Sequence, residues 1–274
     1  MANLLHAIVL GIVQGLTEFL PISSTAHLRI VPAFLGWGDP GTAFTAVVQL
    51  GTMAAVLLFF RDELLRIARA TIASLQDRTL WHTDVREARE GWYIVLGTIP
   101  IAILGVLLKH RIEHQFRSLE LIGTAMIVMG LVMLWCDATS RRERNLDDLT
   151  MRDGWIVGFA QAAALVPGVS RSGATISAGL GLGFDRISAA RYSFLLSVPA
   201  VVLSGLFELK DVGNGGGYGP IPTIIATIVA FFVGYWSIAF LLRYLTSHTL
   251  KPFIAYRLLV GLFVLILAAN NTIS

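Results

Sequence analysis

The chain has 274 residues, of which 55% are hydrophobic and only 14% are charged, and its mean hydropathy is +0.71. Soluble domains carry about 25% charged residues, so this composition excludes a large soluble domain and predicts an integral membrane protein. The formal net charge of +3 is typical of Lys and Arg residues that flank membrane spans, and we expect no nucleic-acid partner. The single cysteine, Cys136, excludes an intrachain disulfide.

The first apolar segment, residues 4–32, is interrupted by Pro21 and the polar run Ser23-Ser24-Thr25. Irregular backbone at membrane depth requires protein or water to satisfy its polar groups. We therefore interpret the segment as a re-entrant helical hairpin, with a single kinked span as the alternative. No Lys or Arg precedes Arg29, so the segment lacks the basic region of a signal peptide and is expected to stay in the mature protein.

Six further runs are apolar for about the 20 residues that a membrane span needs. They are the predicted transmembrane helices 42–60, 91–108, 119–136, 187–207, 220–242 and 252–269, the last with Arg257 near its start. Between the third and the fourth lies a second interrupted segment, 154–183, which we interpret as a second re-entrant hairpin. The predicted fold is thus all-α, with six transmembrane helices and two re-entrant hairpins.

The two interrupted segments carry the same pattern. Gly11-x-x-Gln14 precedes Pro21-x-x-Ser24 in the first, and Gly158-x-x-Gln161 precedes Pro167-x-x-Ser170 in the second. Each hairpin is followed by three spans, so residues 1–136 and 154–270 should form oppositely oriented repeats within one membrane domain, 1–274. Inverted repeats are frequent in transporters and place a site near the midplane, so a transport function stays open.

The distribution of basic residues gives an orientation. Most Lys and Arg residues fall on one side of this topology, including those of the charged segment 61–90, which is expected to be a solvated loop. The other side receives only Lys109, Arg111, Arg117 and Lys210. The richer side is predicted to be cytoplasmic, with both termini on the outer side.

The tip of the first hairpin carries groups suited to catalysis. Glu18 is an ionisable residue in an apolar segment, which indicates function, and Gln14 lies one helical turn before it. Ser24 and His27 are three residues apart, so on a helix they share a face. Together with Glu18 they could act as nucleophile, proton partner and base. A serine N-cap and a hydrogen-bonded histidine are the structural alternatives.

The second hairpin carries groups suited to phosphate. Small residues surround Arg171 in the run Pro167-Gly168-Val169-Ser170-Arg171-Ser172. Glycine allows close backbone approach, helix N-termini favour phosphate, and arginine offers a planar fork of donors. Arg171 could equally form a salt bridge with Glu18. Further candidates for the cavity wall are Gln49, Thr175 and Ser177.

Two runs, Gln14–His27 and Pro167–Thr175, resemble the two signatures of the bacterial undecaprenyl-diphosphate phosphatases linked to bacitracin resistance. The resemblance covers essentially the whole chain. It implies a hydrolase of the bacterial inner membrane that converts undecaprenyl diphosphate to undecaprenyl phosphate and inorganic phosphate. It further implies recycling of the cell-wall carrier lipid, a site open to the periplasm and a divalent cation, Mg²⁺ or Ca²⁺.

The resemblance maps the essential glutamate, serine, histidine and arginine of the family onto Glu18, Ser24, His27 and Arg171. The phosphates are expected at Ser23, Thr25, Gly168, Ser170, Arg171 and Ser172, with a metal at Glu18 and Gln14 nearby. Gln14 stands where the family often has glutamate, which puts a direct metal-ligand role for it in doubt.

Several choices stay open. Ser24, His27 or a water activated by Glu18 could attack phosphorus, and we favour Ser24. A polyprenyl-phosphate flippase is the alternative function. The sequence does not decide between a monomer and a homodimer, nor the prenyl chain length.

Overall fold

The computed structural model describes residues 2–76, 85–114, 116, 118–208, 218–270 and 272. Arg117 and Lys210, which enter the predicted charge distribution, lie outside these residues. The described residues form twelve α-helices: α1 Ala2–Phe19, α2 Ser24–Leu35, α3 Gly41–Phe59, α4 Arg61–Gln76, α5 Arg86–Leu107, α6 Lys109–His114, α7 Leu119–Thr139, α8 Met151–Ala163, α9 Arg171–Gly181, α10 Arg186–Glu208, α11 Pro220–Leu245 and α12 Lys251–Ala269. A short 3₁₀ helix, Leu146–Asp148, precedes α8.

The apolar runs predicted as spans are helices. Within the described part of the chain, α5, α7, α10, α11 and α12 are each long and apolar enough to cross a membrane. The remaining predicted span, 42–60, corresponds to α3. Helix α4 follows it at an angle of 78°, and α3 and α4 make a sixth candidate span only if the bent pair is taken as one span. The prediction of a loop over 61–90 is wrong at both ends, because α4 begins at Arg61 and α5 at Arg86. Asp62 and Glu63 in the first turn of α4 favour that helix start.

Both interrupted segments fold back on themselves. In the first, His6 of α1 stacks on Trp37, which follows α2, with ring centroids 3.9 Å apart. In the second, Arg144 donates to Asp153 Oδ2 near the start of α8 (2.6 Å) and to the Leu182 carbonyl after α9 (2.9 Å). In each segment, the start of the first helix thus lies beside the end of the second helix. Each segment is a helical hairpin.

The two hairpins meet at their tips. Ser172 Oγ, at the tip of the second, donates to the Leu20 carbonyl at the tip of the first (3.2 Å). Helix α5 runs from the base of the second hairpin to the wall of a cavity beside the tips. Arg86 at its start pairs with Asp147 beside the second base (2.6 Å), whereas Lys109 just beyond its end shares a cavity wall with Arg29 of α2. The 22 residues of α5 give the helix a length of about 33 Å between Arg86 and its end at Leu107.

The repeated glycines are contact points between helices. A Cβ on Gly11 of α1 would lie 2.5 Å from the Ala226 carbonyl oxygen of α11, and a Cβ on Gly158 of α8 would lie 2.5 Å from Gly97 Cα of α5. No side chain fits at either distance, so glycine is required for both approaches. Helix α1 is thereby packed against α11, and α8 against α5.

Candidate active site

The two hairpins use the same turn to restart their second arms. Ser23 caps α2 with φ 77° and ψ 98°, and Ser170 caps α9 with φ 71° and ψ 119°. Positive φ is uncommon for residues other than glycine and is concentrated at functional sites. Each hydroxyl accepts from the backbone N–H three residues later, at Ala26 and Gly173. The predicted pairing of Ser24 with Ser170 is therefore wrong by one residue, since Ser23 is the counterpart of Ser170.

This register makes Ser24 and Arg171 equivalent, as the first residues of α2 and α9. The repeat thus provides two matched positions at the tips, one occupied by a hydroxyl and the other by a guanidinium. Glycine spacing alone could not reveal this pairing, because the proline-to-helix distances differ by one residue between the halves.

Glu18 is the centre of a hydrogen-bonded cluster. Its Oε2 accepts from Ser24 Oγ (2.6 Å) and Gln14 Nε2 (2.9 Å), and its Oε1 accepts from Arg171 Nη2 (2.6 Å) and Gln49 Nε2 (3.4 Å). The glutamate is 8% exposed. A buried carboxylate needs such donors to offset lost hydration. The carboxylate therefore links a hydroxyl of one hairpin to a guanidinium of the other.

The salt bridge between Glu18 and Arg171, one of the two roles open for Arg171, is formed. Its side chains are 6% and 15% exposed. Because only one guanidinium nitrogen is engaged by Glu18 in this contact, the planar fork retains further N–H donors. Arg171 also lines the cavity described below, so its salt bridge is compatible with phosphate binding.

Arg257 of α12 joins both tips and is fully buried. Its guanidinium donates to the carbonyls of Pro21 (3.1 Å), Gly168 (2.7 Å) and Val169 (3.0 Å), and through Nε to Met126 of α7 (3.3 Å). Turns at membrane depth expose carbonyls that lipid cannot satisfy, and this side chain satisfies three of them. The sequence indicated only an arginine near the start of the last span; its partners come from distant segments.

His27 does not contact Ser24 by a hydrogen bond in the structure. Its Nδ1 lies 2.7 Å from the Ser23 carbonyl oxygen, and its Nε2 lies 2.8 Å from the Tyr256 hydroxyl. A carbonyl can only accept, so Nδ1 carries the hydrogen and Nε2 of the neutral ring accepts from Tyr256. The predicted proton-transfer partnership between Ser24 and His27 is thus absent from this geometry, in which Ser24 is paired with Glu18. Tyr256 was not identified from the sequence.

A cavity of about 500 Å³ opens beside the cluster. Its polar end holds Glu18, Ser24 and Arg171, together with Ser23, Thr25, Gln49 and Ser170. Apolar residues of α3, α5 and α10 form most of its remaining wall, including Ala46, Ile101, Ala102, Val106, Val201 and Leu203. The cavity wall therefore combines charged and hydroxyl groups with a large apolar surface.

Four residues that were predicted to bind phosphate (Gly168, Ser172) or to line the cavity (Thr175, Ser177) lie off its wall. Gly168 has φ 97° and packs on α7, where a Cβ would lie 2.5 Å from the Ile122 carbonyl oxygen. Ser172 bonds to the Leu20 carbonyl and Thr175 to Ser193 (2.6 Å), while Ser177 is buried and 2% exposed. In these positions Gly168 packs against α7, Ser172 links the two hairpin tips, and neither lines the cavity.

The donor set beside Glu18 fits a hard divalent cation. Mg²⁺ is usually bound through one or two carboxylates together with substrate phosphates and water. Glu18 supplies a carboxylate, and the adjacent Gln14 Oε1 is a buried oxygen without a hydrogen-bond partner. No cluster of three or more His, Cys, Asp or Glu side chains suited to a metal occurs among the described residues. The protein alone thus offers only part of a coordination sphere.

These features define a class: a multi-helix membrane protein in which two helical hairpins join their tips beside a cavity lined by a carboxylate, an arginine and serines. The profile of the family described as "Bacitracin resistance protein BacA" matches residues 7–263. The chain belongs to this family.

Similar proteins span the whole chain. An undecaprenyl-diphosphatase of Nocardioides sp. is 54% identical over 276 residues, covering 100% of both chains. One of Streptomyces griseus is 53% identical over 282 residues, covering 98% of this chain and 96% of its own. One of Chlorobaculum tepidum is 48% identical over 279 residues, covering 98% of each.

Proposed function

We propose that the protein hydrolyses undecaprenyl diphosphate to undecaprenyl phosphate and inorganic phosphate, which returns the carrier lipid to cell-wall synthesis and gives bacitracin resistance. The observation that carries this proposal is the contact chain Ser24–Glu18–Arg171, which joins a hydroxyl, a carboxylate and a guanidinium across the two hairpins. The names of relatives that match the full length of the chain support the same activity.

The cavity accounts for the two parts of the substrate. Arg171 and the serine-capped turns receive the terminal phosphate, because guanidinium and hydroxyl donors match its oxygens. The apolar residues of α5 and α10 receive the first isoprene units, whose burial is favourable by about 25 cal/mol per Å². Charged and apolar walls in one cavity suit an amphiphile better than a soluble phosphate ester.

The chemistry begins at Ser24. Its Oγ attacks the terminal phosphorus while its proton passes to Glu18 Oε2 along the 2.6 Å hydrogen bond. The bond from phosphorus to the bridging oxygen breaks, and its electron pair leaves on the lipid monophosphate. That monophosphate takes the proton from Glu18, which restores the carboxylate. A water molecule deprotonated by Glu18 then attacks the phosphoserine. The bond from phosphorus to Ser24 Oγ breaks, Oγ recovers the proton from Glu18, and inorganic phosphate is released. Arg171 compensates charge on the non-bridging oxygens in both steps.

Direct attack by a water that Glu18 deprotonates is the variant of this mechanism without a phosphoserine. The two differ in one measurable respect. A covalent phosphoserine at Ser24 would form in the first and can be trapped by acid quench, whereas direct attack leaves no phosphorylated protein. His27, held by Ser23 and Tyr256, has a positioning role in either version.

A divalent cation, Mg²⁺ or Ca²⁺, would be held by Glu18 and the Gln14 amide oxygen together with phosphate oxygens. Bound there, it would neutralise phosphate charge that one arginine leaves uncompensated. The unpartnered Gln14 Oε1 supports this assignment.

In the membrane, we propose six transmembrane segments and two re-entrant hairpins in inverted repeats, with the cavity open to the periplasm. The cavity extends toward Arg29 and Lys109, at the end of the molecule opposite the second base. That base and the neighbouring α4 carry many arginines, among them Arg61, Arg66, Arg69, Arg86 and Arg144, as expected of a cytoplasmic face. The inner membrane is the corresponding location.

A lipid flippase is the second candidate, because hairpins that meet tip to tip from opposite sides are typical of transporters. Transport needs no hydroxyl beside a carboxylate, so Ser24 and Glu18 separate the two functions. A leaflet-resolved assay of polyprenyl phosphate in liposomes reports flipping without hydrolysis.

The proposal is tested by phosphate release from undecaprenyl diphosphate with purified protein and Mg²⁺. Wild type should turn over, and Glu18→Gln, which keeps the shape of the side chain, should be slower by at least about a thousandfold. A chelator should stop the wild type reversibly. No release from folded wild type would refute the hydrolase and leave the flippase.

A further inference from the structure

The cavity carries more positive charge than the tip residues account for. Among the described residues that line it, Arg29, Lys109 and Arg171 are cationic and Glu18 is the only carboxylate. Arg171 is already paired with Glu18 at 2.6 Å. The other two cations belong to elements outside the hairpin tips, namely the middle of α2 and the start of α6. An apolar-walled cavity that collects cations in this way favours an anion with more charge than one phosphate.

The position of Arg29 relative to Ser24 suits a second phosphate. Both belong to α2, and their separation by five residues corresponds to about 7.5 Å along the helix axis. Thr25 and Arg29 are four residues apart, so they share a helix face, and both line the cavity. Arg29 therefore lies one helical turn further than Thr25 from the start of α2, where Ser24 is placed.

The present partner of Arg29 holds it weakly. Its Nε lies 3.6 Å from Asp39 Oδ2, beyond hydrogen-bond distance, and this buried Nε has no hydrogen-bond partner. Asp39 also accepts from the Gly41 backbone N–H through Oδ1 (2.9 Å), which fixes the connection between α2 and α3. A charge-assisted bond to a phosphate oxygen would satisfy the guanidinium better than this contact.

We propose that Arg29, with Lys109 of the same cavity, forms a second anion subsite that binds the lipid-side phosphate of the diphosphate. This inference rests on the proposed function and deepens it. Arg171 then holds the terminal phosphate and Arg29 the one that stays on the lipid. The subsite makes the protein select diphosphates over monophosphates, because a monophosphate can occupy only one of the two positions.

Steady-state kinetics on undecaprenyl diphosphate test the subsite. Arg29→Ala should raise KM about tenfold to a hundredfold, because one charge-assisted contact is lost. The kcat of this variant should stay within about threefold of wild type. Arg29→Lys should recover part of the affinity. Arg243→Ala, an exposed cation at the end of α11, is the matched control and should change neither constant.

Asp39→Asn distinguishes binding from mere support of the loop. If Arg29 serves only to hold Asp39, this variant should raise KM as Arg29→Ala does. If Arg29 binds phosphate, Asp39→Asn keeps the amide-oxygen bond to Gly41, releases the guanidinium and should leave KM unchanged or lower it. Equal increases in the two variants would overturn the proposal.

A binding measurement separates this inference from the hydrolase itself. Inorganic pyrophosphate should protect wild type against thermal unfolding at a concentration at least tenfold lower than inorganic phosphate does. Arg29→Ala should lose that preference, even if the wild type proves to release no phosphate from the lipid. Equal protection by both anions in wild type, or an unchanged preference in Arg29→Ala, would refute the second subsite.

Discussion

Replacing Arg257 by methionine should weaken the protein and its activity together. The guanidinium donates to four carbonyls, those of Pro21, Met126, Gly168 and Val169. Methionine fills similar space and donates to none. At about 1 kcal/mol for each lost hydrogen bond, the destabilisation is about 4 kcal/mol. At roughly 2–4 °C per kcal/mol for a chain of this size, the melting temperature should fall by about 10 °C.

The loss of activity should be in kcat. Arg257 touches neither Glu18 nor Arg171 in its hydrogen bonds, but it fixes the two turns from which they project. A misplacement of reacting groups by about 1 Å can lower a rate a hundredfold, so we expect kcat to fall at least that far while KM changes little. Thermal unfolding in detergent and phosphate release measure the two effects.

Arg257→Lys is the companion variant. It keeps the charge but lacks the fork, so it should give intermediate values of both quantities. If Arg257→Met kept the melting temperature and kcat of wild type, the hairpin tips would be held by other contacts and the reasoning would be refuted.

Three further predictions follow from the site. Ser24→Ala should lower kcat by at least about a thousandfold and abolish any acid-stable phosphoprotein; activity close to wild type would favour direct attack by water. Tyr256→Phe removes only the hydroxyl that donates to His27 Nε2 and should lower kcat about threefold to tenfold with an unchanged melting temperature. Arg144→Ala leaves the buried Asp153 without its ion-pair partner and should cost about 3 kcal/mol in detergent unfolding, without a change in KM.

The spans were predictable because bilayer thickness dictates the length of an apolar run. The predicted spans 119–136 and 252–269 are the helices Leu119–Thr139 and Lys251–Ala269. The helix breaks after Phe19 and Ala163 were predictable too, since proline and a polar run cannot continue a lipid-exposed helix. Helix α4 was missed because its polar character resembles that of a solvated loop. No change in the apolar pattern marks the 78° bend between α3 and α4.

Contacts between distant residues explain what the sequence could not give. Ser24 and His27 occupy one helix face by spacing, but the ring of His27 is turned by the Ser23 carbonyl and by Tyr256, which is 229 residues away. The sequence around Gly168 predicts a glycine of a phosphate-binding loop, but in the structure this glycine packs against the backbone of α7. Among these residues, only Arg257 could have been recognised from the sequence as a structural contact, since a cation inside an apolar span requires buried partners.

Glu18 and Arg171 are expected to act as one catalytic unit across the joined hairpin tips. A double-mutant cycle on phosphate release from undecaprenyl diphosphate tests it, with Glu18→Gln, Arg171→Met and the double variant. If the pair acts as a unit, each single variant loses activity by orders of magnitude and the double variant is no slower than the slower single one. Losses that multiply in a folded double variant would mean that the two residues act independently and would contradict the account.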